Sequence, residues 1–382
     1  MRLVLSTYRL NERAGSETYL LTVAASLERL GHEVWLHSID DAERSTLAAE
    51  HGLRFAPGGR GLPDTVDALL VQDGVVAYTL AERYPGVPQL FVAHSPVHDL
   101  QLPPQVPETV SAVVVLNERV AGRVRALANA PRELVRLRQP VRLELFRPTG
   151  PLPAAPRKLL ALGNRLTSAR RAALRDACGD HGIEFMEAGG GRDPVAAIAA
   201  ADIVAGYGRC IVEAMAAGRA AYVYDYLGGD GWVTSESYAR LEADGFGGRA
   251  TSEVVDAERL RADLGRYDAE MGLVCRDLAV NNHDAERHAA ELAEVLAGLA
   301  PTAQPPDVAG ELARLVRIAW HFELRAIDAA RAAGALDEQL AAARAEAEQQ
   351  HARALAAEGQ LRRRRYRLVD RIAGVADRAR GR

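Results

Sequence analysis

The first part of the chain alternates short apolar runs with segments in which apolar residues recur every three or four positions. Apolar runs at 2–8 and 33–37 flank residues 16–30, whose leucines and valine fall on one helical face between a Ser N-cap and a Gly stop. This strand–helix–strand unit predicts a parallel sheet. The same pattern predicts further strands at 67–72, 89–93, 112–116 and 134–137, and helices at 75–84 and 118–127.

A proline-rich segment, 146–157, interrupts this alternation and predicts a linker. The pattern then begins again, with predicted strands at 158–162, 183–186, 203–205 and 221–224, and helices at 168–178, 193–200 and 210–217. The chain therefore divides into an α/β domain at 1–145 and a second at 158–300. Ligands of such sheets bind at the carboxyl ends of the strands, so we expect the site in a cleft between the two domains.

The third region, 308–382, has a different pattern. Apolar residues recur at alternating steps of three and four from Leu312 to Ala347, which predicts a long helix or a coiled coil. Self-association into a homo-oligomer and packing against its own domain are both compatible with this alanine-rich seam. Residues 361–382 are rich in arginine, with Leu368 and Ile372 at helical spacing. They predict either a basic amphipathic helix on an anionic membrane surface or a solvated tail.

Composition narrows the class of protein. A hydrophobic content of 48% in 382 residues excludes a disordered chain and predicts more than one domain. A net charge of −4 gives no indication of nucleic-acid binding, and three cysteines without a CxxC pair exclude a zinc ribbon or a disulfide framework. The N-terminus lacks the apolar core of a signal peptide. We therefore expect a cytoplasmic protein, with peripheral attachment to the inner membrane face as the alternative.

The segment most informative about chemistry is ADIVAGYGRCIVEAMAAGRAAYVYD, residues 201–225. A predicted strand ends at Gly206 and Gly208, and a helix follows. Glycines let a phosphate approach the backbone, and the N-terminus of a helix offers free N–H donors. Arg209 adds a positive charge for phosphate oxygens, and Glu213 lies one turn further, where a carboxylate can accept from a ribose diol. An i,i+4 salt bridge between the two side chains is the structural alternative.

This segment resembles the signature of family-four-type glycosyltransferases, retaining enzymes with the two-Rossmann-domain B-type fold. The matching parts are the Gly206–Gly208 turn, the Glu-Ala-Met-Ala-x-Gly helix at 213–218, and the Gly-Gly turn at 228–229. The resemblance implies that Glu213 binds the nucleotide ribose. The family also has a glutamate eight positions earlier, where this chain has Ala205, and that departure leaves one donor contact unassigned.

Three further segments resemble parts of the same family. In GNRLTSARR, residues 163–171, Arg165 and Arg170 have the spacing of the Arg and Lys that the family places against the donor diphosphate. His94, in FVAHSPVHD, lies near the point where the family has a histidine that contacts the transferred sugar, and His98 is the competing candidate. Gly15, in LNERAGSETYL, matches the Gly-rich loop that opens the first cleft-facing helix. For each segment, an ordinary surface, turn or structural role is the alternative.

The resemblance implies transfer of a glycosyl group from a nucleotide-diphosphate sugar to a hydroxyl of a saccharide or lipid-linked acceptor. Arg165, Arg170 and the helix N-terminus would stabilise the leaving diphosphate. No Asp-x-Asp element is present, so we expect no metal and no cofactor beyond the donor. The alternatives are a non-catalytic scaffold of degenerate transferase fold and a sugar-nucleotide epimerase. The Gly-rich segment 228–234 predicts a loop over the donor, with Asp230 a turn residue or a sugar contact.

Overall fold

The computed structural model describes residues 1–302, apart from positions 11–12, 41–45, 107, 130–132, 164–165, 189–193, 225–227, 252 and 254, and parts of 311–351. The chain forms two compact units, Met1–Glu311 and Leu312–Arg382. The first unit contains both α/β halves, and each unit is described by itself.

The first half is a parallel sheet with helices on both faces. Its described strands are β1 (Arg2–Arg9), β2 (Glu33–Asp40), β3 (Arg54–Pro57), β4 (Ala68–Val71), β5 (Gln89–Ala93), β6 (Ala112–Val115) and β7 (Leu134–Arg136). They lie in the order β3-β2-β1-β4-β5-β6-β7. The described helices are α1 (Gly15–Arg29), α2 (Leu47–Glu50), α3 (Gly74–Arg83) and α4 (Glu118–Arg125). The pattern at 47–57 is too short to predict α2 and β3 from periodicity.

Alternate residues of each central strand enter two separate cores. Leu3 and Leu5 of β1 pack in the core that includes α1, whereas Val4 packs with α3 and α4 on the other face. Strands buried on both faces are continuous apolar runs, which is why the sequence shows them so clearly.

The second half is a smaller sheet of the same kind. Its described strands are β8 (Lys158–Leu162), β9 (Glu184–Ala188), β10 (Ile203–Gly206), β11 (Ala220–Tyr224) and β12 (Gly229–Trp232), in the order β12-β11-β10-β8-β9. Its described helices are α5 (Ser168–Asp180), α6 (Val195–Ala200), α7 (Arg209–Ala216), α8 (Tyr238–Ala243), α9 (Ala257–Leu264) and α10 (Glu270–Asn282).

One prediction in this half is wrong. The segment at 228–234 was expected to be a loop over the donor, but it contains β12, which pairs antiparallel with β11 at the sheet edge. Asp230 lies within that strand and its carboxylate accepts hydrogen bonds from the backbone N–H groups of Ala250 and Thr251. Its role is therefore to fix the 250–251 segment, because both backbone donors are satisfied by its side chain.

The chain returns to the first half after α10. A bridge between Val141 and Asp284 marks the crossing, and α11 (Ala285–Gly298) then packs against α1. Leu292 and Leu296 of α11 belong to the same core as the α1 face of the first sheet. The two halves are consequently joined twice, through the proline-rich segment and through α11.

The described residues of the second unit between 312 and 351 are helical. Large apolar side chains, among them Trp320, Phe322 and Leu336, are exposed there. None of the described helices is long and apolar enough to cross a membrane.

Candidate functional site

The turn between β10 and α7 is built by two glycines with different tasks. At Gly206, a Cβ would lie 2.3 Å from the Leu162 carbonyl oxygen, so only glycine allows β8 and β10 to approach so closely here. Gly208 has φ +64°, a left-handed conformation that favours glycine, and its N–H donates to the Phe246 carbonyl at 2.8 Å. No atom lies within 4 Å of where its Cβ would be, so the start of α7 faces open space.

Arg209, the first residue of α7, contacts three different elements. Its Nε donates to Glu213 Oε1 at 2.8 Å, its Nη1 to the Pro140 carbonyl at 3.1 Å, and its Nη2 to Thr22 Oγ1 of α1 at 3.1 Å. The Arg209 and Glu213 side chains are only 11% and 7% exposed. The salt bridge that was the structural alternative is therefore present, and Arg209 also links the two halves.

His94 follows β5 at the carboxyl end of the first sheet, beside the aromatic ring of Tyr19. The two ring centroids are 4.9 Å apart in an edge-to-face arrangement. Nε2 of His94 is buried without a hydrogen-bond partner among the described residues. Burial, with the positive charge of Arg209 as a second cause, lowers the pKa of His94 to about 3, so its imidazole is neutral at pH 7.

A second histidine completes this cluster. The Tyr19 hydroxyl is hydrogen-bonded to Nε2 of His288, on α11, at 2.9 Å. Burial lowers the pKa of His288 to about 3 and raises the pKa of Tyr19. Arg209, Tyr19 and the two histidines therefore lie close together, with both imidazoles neutral and the charge of Arg209 already paired with Glu213.

Arg170 lies in the first turn of α5, above the carboxyl end of β11. Its Nη1 donates to the Val255 carbonyl at 2.7 Å and to the Tyr224 hydroxyl at 3.3 Å, and its guanidinium lies 5.3 Å from the Tyr224 ring centroid. A Cβ on Gly228 would be 3.8 Å from its Nη2. Arg170 is thus held beside the Gly-Gly turn by neutral acceptors. Arg165, its predicted partner, lies outside the described residues.

Gly15 is the first residue of α1. It is exposed, and no atom lies within 4 Å of where its Cβ would be. The N-cap residue of α1, Ala14, makes no side-chain capping hydrogen bond. The first turn of α1 therefore begins without a side-chain cap for its backbone N–H groups.

Ala205 stands where the resembling family has its first glutamate. Its side chain is completely buried in β10, in the core that also holds Tyr222 and Tyr224. A carboxylate here would be desolvated among these aromatic side chains, and alanine avoids that cost.

The sequence missed three residues of this region: Tyr19, Thr22 and His288. Tyr19 and Thr22 lie within the helical pattern of α1 and look like ordinary core positions. His288 is far along the chain, within the range 158–300 that the sequence analysis assigned to the second half. Among the described residues, no group of three or more His, Cys, Asp or Glu side chains is arranged to hold a metal ion.

No family model matches the sequence, and no curated protein matches it. Solved structures do match the fold. HepE of Anabaena, in complex with UDP and glucose, has a TM-score of 0.54 at 14% identity, covering 78% of this chain and 99% of its own. A glycosyltransferase of Rickettsia africae has a TM-score of 0.52 at 14% identity, covering 77% and 97%. Sucrose-phosphate synthase of Thermosynechococcus elongatus has a TM-score of 0.51 at 13% identity, covering 77% and 98%.

The chain has the B-type glycosyltransferase fold, two Rossmann-like α/β domains facing a cleft, followed by a C-terminal helix. The fold expected from the sequence is thereby confirmed. At such low identities the likeness concerns the fold alone, and the activity has to be argued from the site.

Proposed function

We propose that the protein is a glycosyltransferase that moves a sugar from a nucleotide-diphosphate donor to an acceptor hydroxyl. The observation that supports this best is the start of α7. Gly208 leaves open space before the helix N-terminus, and the Glu213 carboxylate lies one turn inside it. A helix N-terminus suits a diphosphate, and a carboxylate one turn on suits a ribose diol. HepE, of the same fold, has been crystallised with UDP and with UDP-glucose.

The residues divide between binding the donor and supporting the leaving group. Glu213 binds the ribose, and the glycines at 206 and 208 allow the diphosphate to approach the backbone. Arg170, with Arg165 beside it in sequence, stabilises the negative charge that grows on the departing diphosphate. A divalent metal ion can stabilise the charge of a leaving diphosphate, and arginine side chains can do the same. We therefore propose transfer without a metal. We also propose retention of anomeric configuration, which rests on the family resemblance.

The first half supplies the other side of the reaction. Residues 1–145, onto which α11 packs, form the acceptor side, residues 158–284 hold the donor, and the segment at 146–157 permits the two to close and exclude water. Gly15 opens α1 toward the ligand, and neutral His94 can exchange a hydrogen bond with a sugar hydroxyl. The acceptor we propose is a saccharide or a lipid-linked saccharide.

A second candidate, a non-catalytic subunit of transferase fold, is favoured by one observation. Ala205 removes a carboxylate that the resembling enzymes use, and it lies within a closed core. Such a subunit would bind partners rather than turn over a donor.

A binding screen tests both candidates. Wild-type protein is titrated calorimetrically with UDP, GDP, ADP and dTDP, then with the corresponding sugar nucleotides. We expect one nucleoside diphosphate to bind and its sugar nucleotide to be consumed. Glu213→Gln should weaken binding, whereas the control Glu270→Gln, at an exposed position on α10, should not. Binding without turnover would favour the non-catalytic subunit, and absence of binding would refute the transferase.

We propose two further properties for the C-terminal region. The arginine-rich segment 361–382, which lies outside the described residues, docks on an anionic membrane surface, since each basic residue near such a surface contributes about 1 kcal/mol. The preceding helix forms a homo-oligomer. Vesicle co-sedimentation with and without residues 361–382 tests the first, and light scattering of a 1–311 truncation tests the second. Equal vesicle binding by the full chain and by the chain without residues 361–382 would refute the membrane proposal. The same number of chains per particle for the full chain and for the 1–311 truncation would refute the oligomer proposal.

A further inference from the structure

Four adjacent strands of the first sheet each place one polar side chain at the carboxyl end of the face that α1 covers. We call Ser38, Thr7, Gln72 and His94 the polar layer. Thr7 pairs in register with Ser38, and Ser6 with Val71, so Gln72 follows beside Thr7.

The strand alternation puts all four on one face. Leu36, Leu5, Leu70 and Val92 each lie two residues before a member of the layer, and all four belong to the core that includes α1. The sheet face is therefore apolar along its length and becomes polar only in its last row, toward the cleft.

Most of this row lacks hydrogen-bond partners. Within the described part of the chain, Ser38 Oγ, both amide atoms of Gln72 and Nε2 of His94 are buried with no partner. Gln72 is 1% exposed and Ser38 is fully buried. Thr7 differs, because its Oγ1 donates to Asp73. Buried polar groups are nearly always paired, so several unpaired ones in a single row require an explanation.

The surroundings point to a ligand from the cleft. The uncapped first turn of α1 begins at Gly15, with open space around it. On the opposite side of the cleft, Arg209 is near enough for its charge to lower the pKa of His94. The His94 end of the polar layer is therefore close to Arg209, the first residue of the helix at the proposed donor site.

We propose that the polar layer is a binding subsite for an uncharged polyhydroxyl group, namely a sugar ring, and that Gln72 determines its specificity. Each sugar hydroxyl both donates and accepts, which matches an amide, a serine hydroxyl and a neutral imidazole. No member of the layer is itself charged, so its groups match hydroxyls better than an ionised group. The inference rests on the proposed transferase function and adds residues that bind the sugar. The ring belongs either to the donor or to the acceptor.

A matched pair of variants separates a ligand role from a structural one. Gln72→Met keeps the side-chain volume and removes two unpaired polar atoms, so Tm should stay unchanged or rise. Gln89 is the control, because it is equally buried but lies at the amino end of β5, next to α3; its Oε1 also lacks a partner among the described residues, but its Nε2 does not. Its Nε2 donates to the carbonyls of Ala77 and Thr109, so Gln89→Met should lower Tm.

Ligand binding is measured on the same variants. Saturation-transfer NMR with glucose, galactose, mannose and N-acetylglucosamine, with and without UDP, should show at least one sugar binding to the wild type. Gln72→Met should weaken that sugar about tenfold, as expected for loss of one or two hydrogen bonds. UDP affinity should stay within about twofold, and Gln89→Met should bind like the wild type. A lower ratio of UDP-glucose to UDP affinity in Gln72→Met would assign the ring to the donor, and an unchanged ratio to the acceptor.

Three results would overturn the proposal: no sugar binds the wild type, sugar affinity survives Gln72→Met, or Gln72→Met lowers Tm as much as Gln89→Met. The last result would mean that ordered waters satisfy the row. If UDP fails to bind while a sugar binds through Gln72, the proposed function fails and the subsite stands.

Discussion

The salt bridge between Arg209 and Glu213 allows a quantitative test of how α7 is held. Both side chains are largely buried, and Nε lies 2.8 Å from Oε1. Glu213→Ala would leave the guanidinium with two neutral acceptors, the Pro140 carbonyl and Thr22 Oγ1. Breaking one side of a buried pair costs about 3–5 kcal/mol, since it leaves a charge uncompensated. We therefore expect Glu213→Ala to lower the free energy of unfolding by that amount.

A double-mutant cycle isolates the pair from the other contacts of Arg209. Arg209→Met alone removes the links to Thr22 and Pro140 as well. In the double variant no charge is left unpaired, so it should be about 2–3 kcal/mol more stable than the sum of the single changes predicts. Urea unfolding followed by fluorescence of the three tryptophans is the assay. Additivity within about 0.5 kcal/mol would refute the reasoning.

The ribose role of Glu213 needs a gentler change, because Glu213→Ala also disturbs Arg209. Glu213→Gln keeps the shape and a hydrogen-bond acceptor, and it should weaken nucleotide binding by about 1.5–3 kcal/mol, roughly 10- to 150-fold. The loss should be smaller for a 2′,3′-dideoxy nucleotide, which has no diol for the carboxylate. An equal loss for both nucleotides would contradict the ribose contact.

Three shorter predictions concern other parts of the site. Arg170→Met should lower turnover about 100-fold in a single-turnover assay with little change in nucleotide affinity, and unchanged turnover would exclude its role on the leaving group. Gly208 and Gly182 have similar positive φ angles, +64° and +68°, and open space at the Cβ position. Gly208→Ala and the control Gly182→Ala should therefore each lower the free energy of unfolding by about 1–2 kcal/mol. Only Gly208→Ala should weaken nucleotide binding measured by calorimetry. His94 and His288 have folded pKa values of about 3, below the unfolded value, so the unfolded state binds more protons in acid. The free energy of unfolding should therefore be highest above about pH 6.5. Between that pH and about pH 3, each histidine should lower it by up to about 1.4 kcal/mol per pH unit. A free energy of unfolding in urea that does not change with pH over this range would contradict the burial of neutral histidines.

The order of strands and helices up to residue 224, apart from α2 and β3, and the division into two α/β halves could be predicted from the sequence. Strands such as 89–93 and 158–162 appear in the structure with the predicted bounds, because a strand buried on both faces is a continuous apolar run. The strand β12 was missed for the opposite reason. Its residues, GDGW, contain two glycines and no apolar run, and pairing with β11 decides their conformation.

The candidate site divides in the same way. The sequence located Gly206, Gly208, Arg209 and Glu213 at the start of a helix, since a turn and a helix start are determined by neighbouring residues.

Only the tertiary structure decided which distant groups meet them. Arg209 contacts Thr22 across 187 positions, and Tyr19 contacts His288 across 269. The contact between Tyr19 and His288 exists because α11 crosses back onto α1, and nothing in the local periodicity of α11 indicates which half it covers. The unpaired atoms of Gln72 and Ser38 are equally invisible in sequence, because a missing partner is a property of three-dimensional packing.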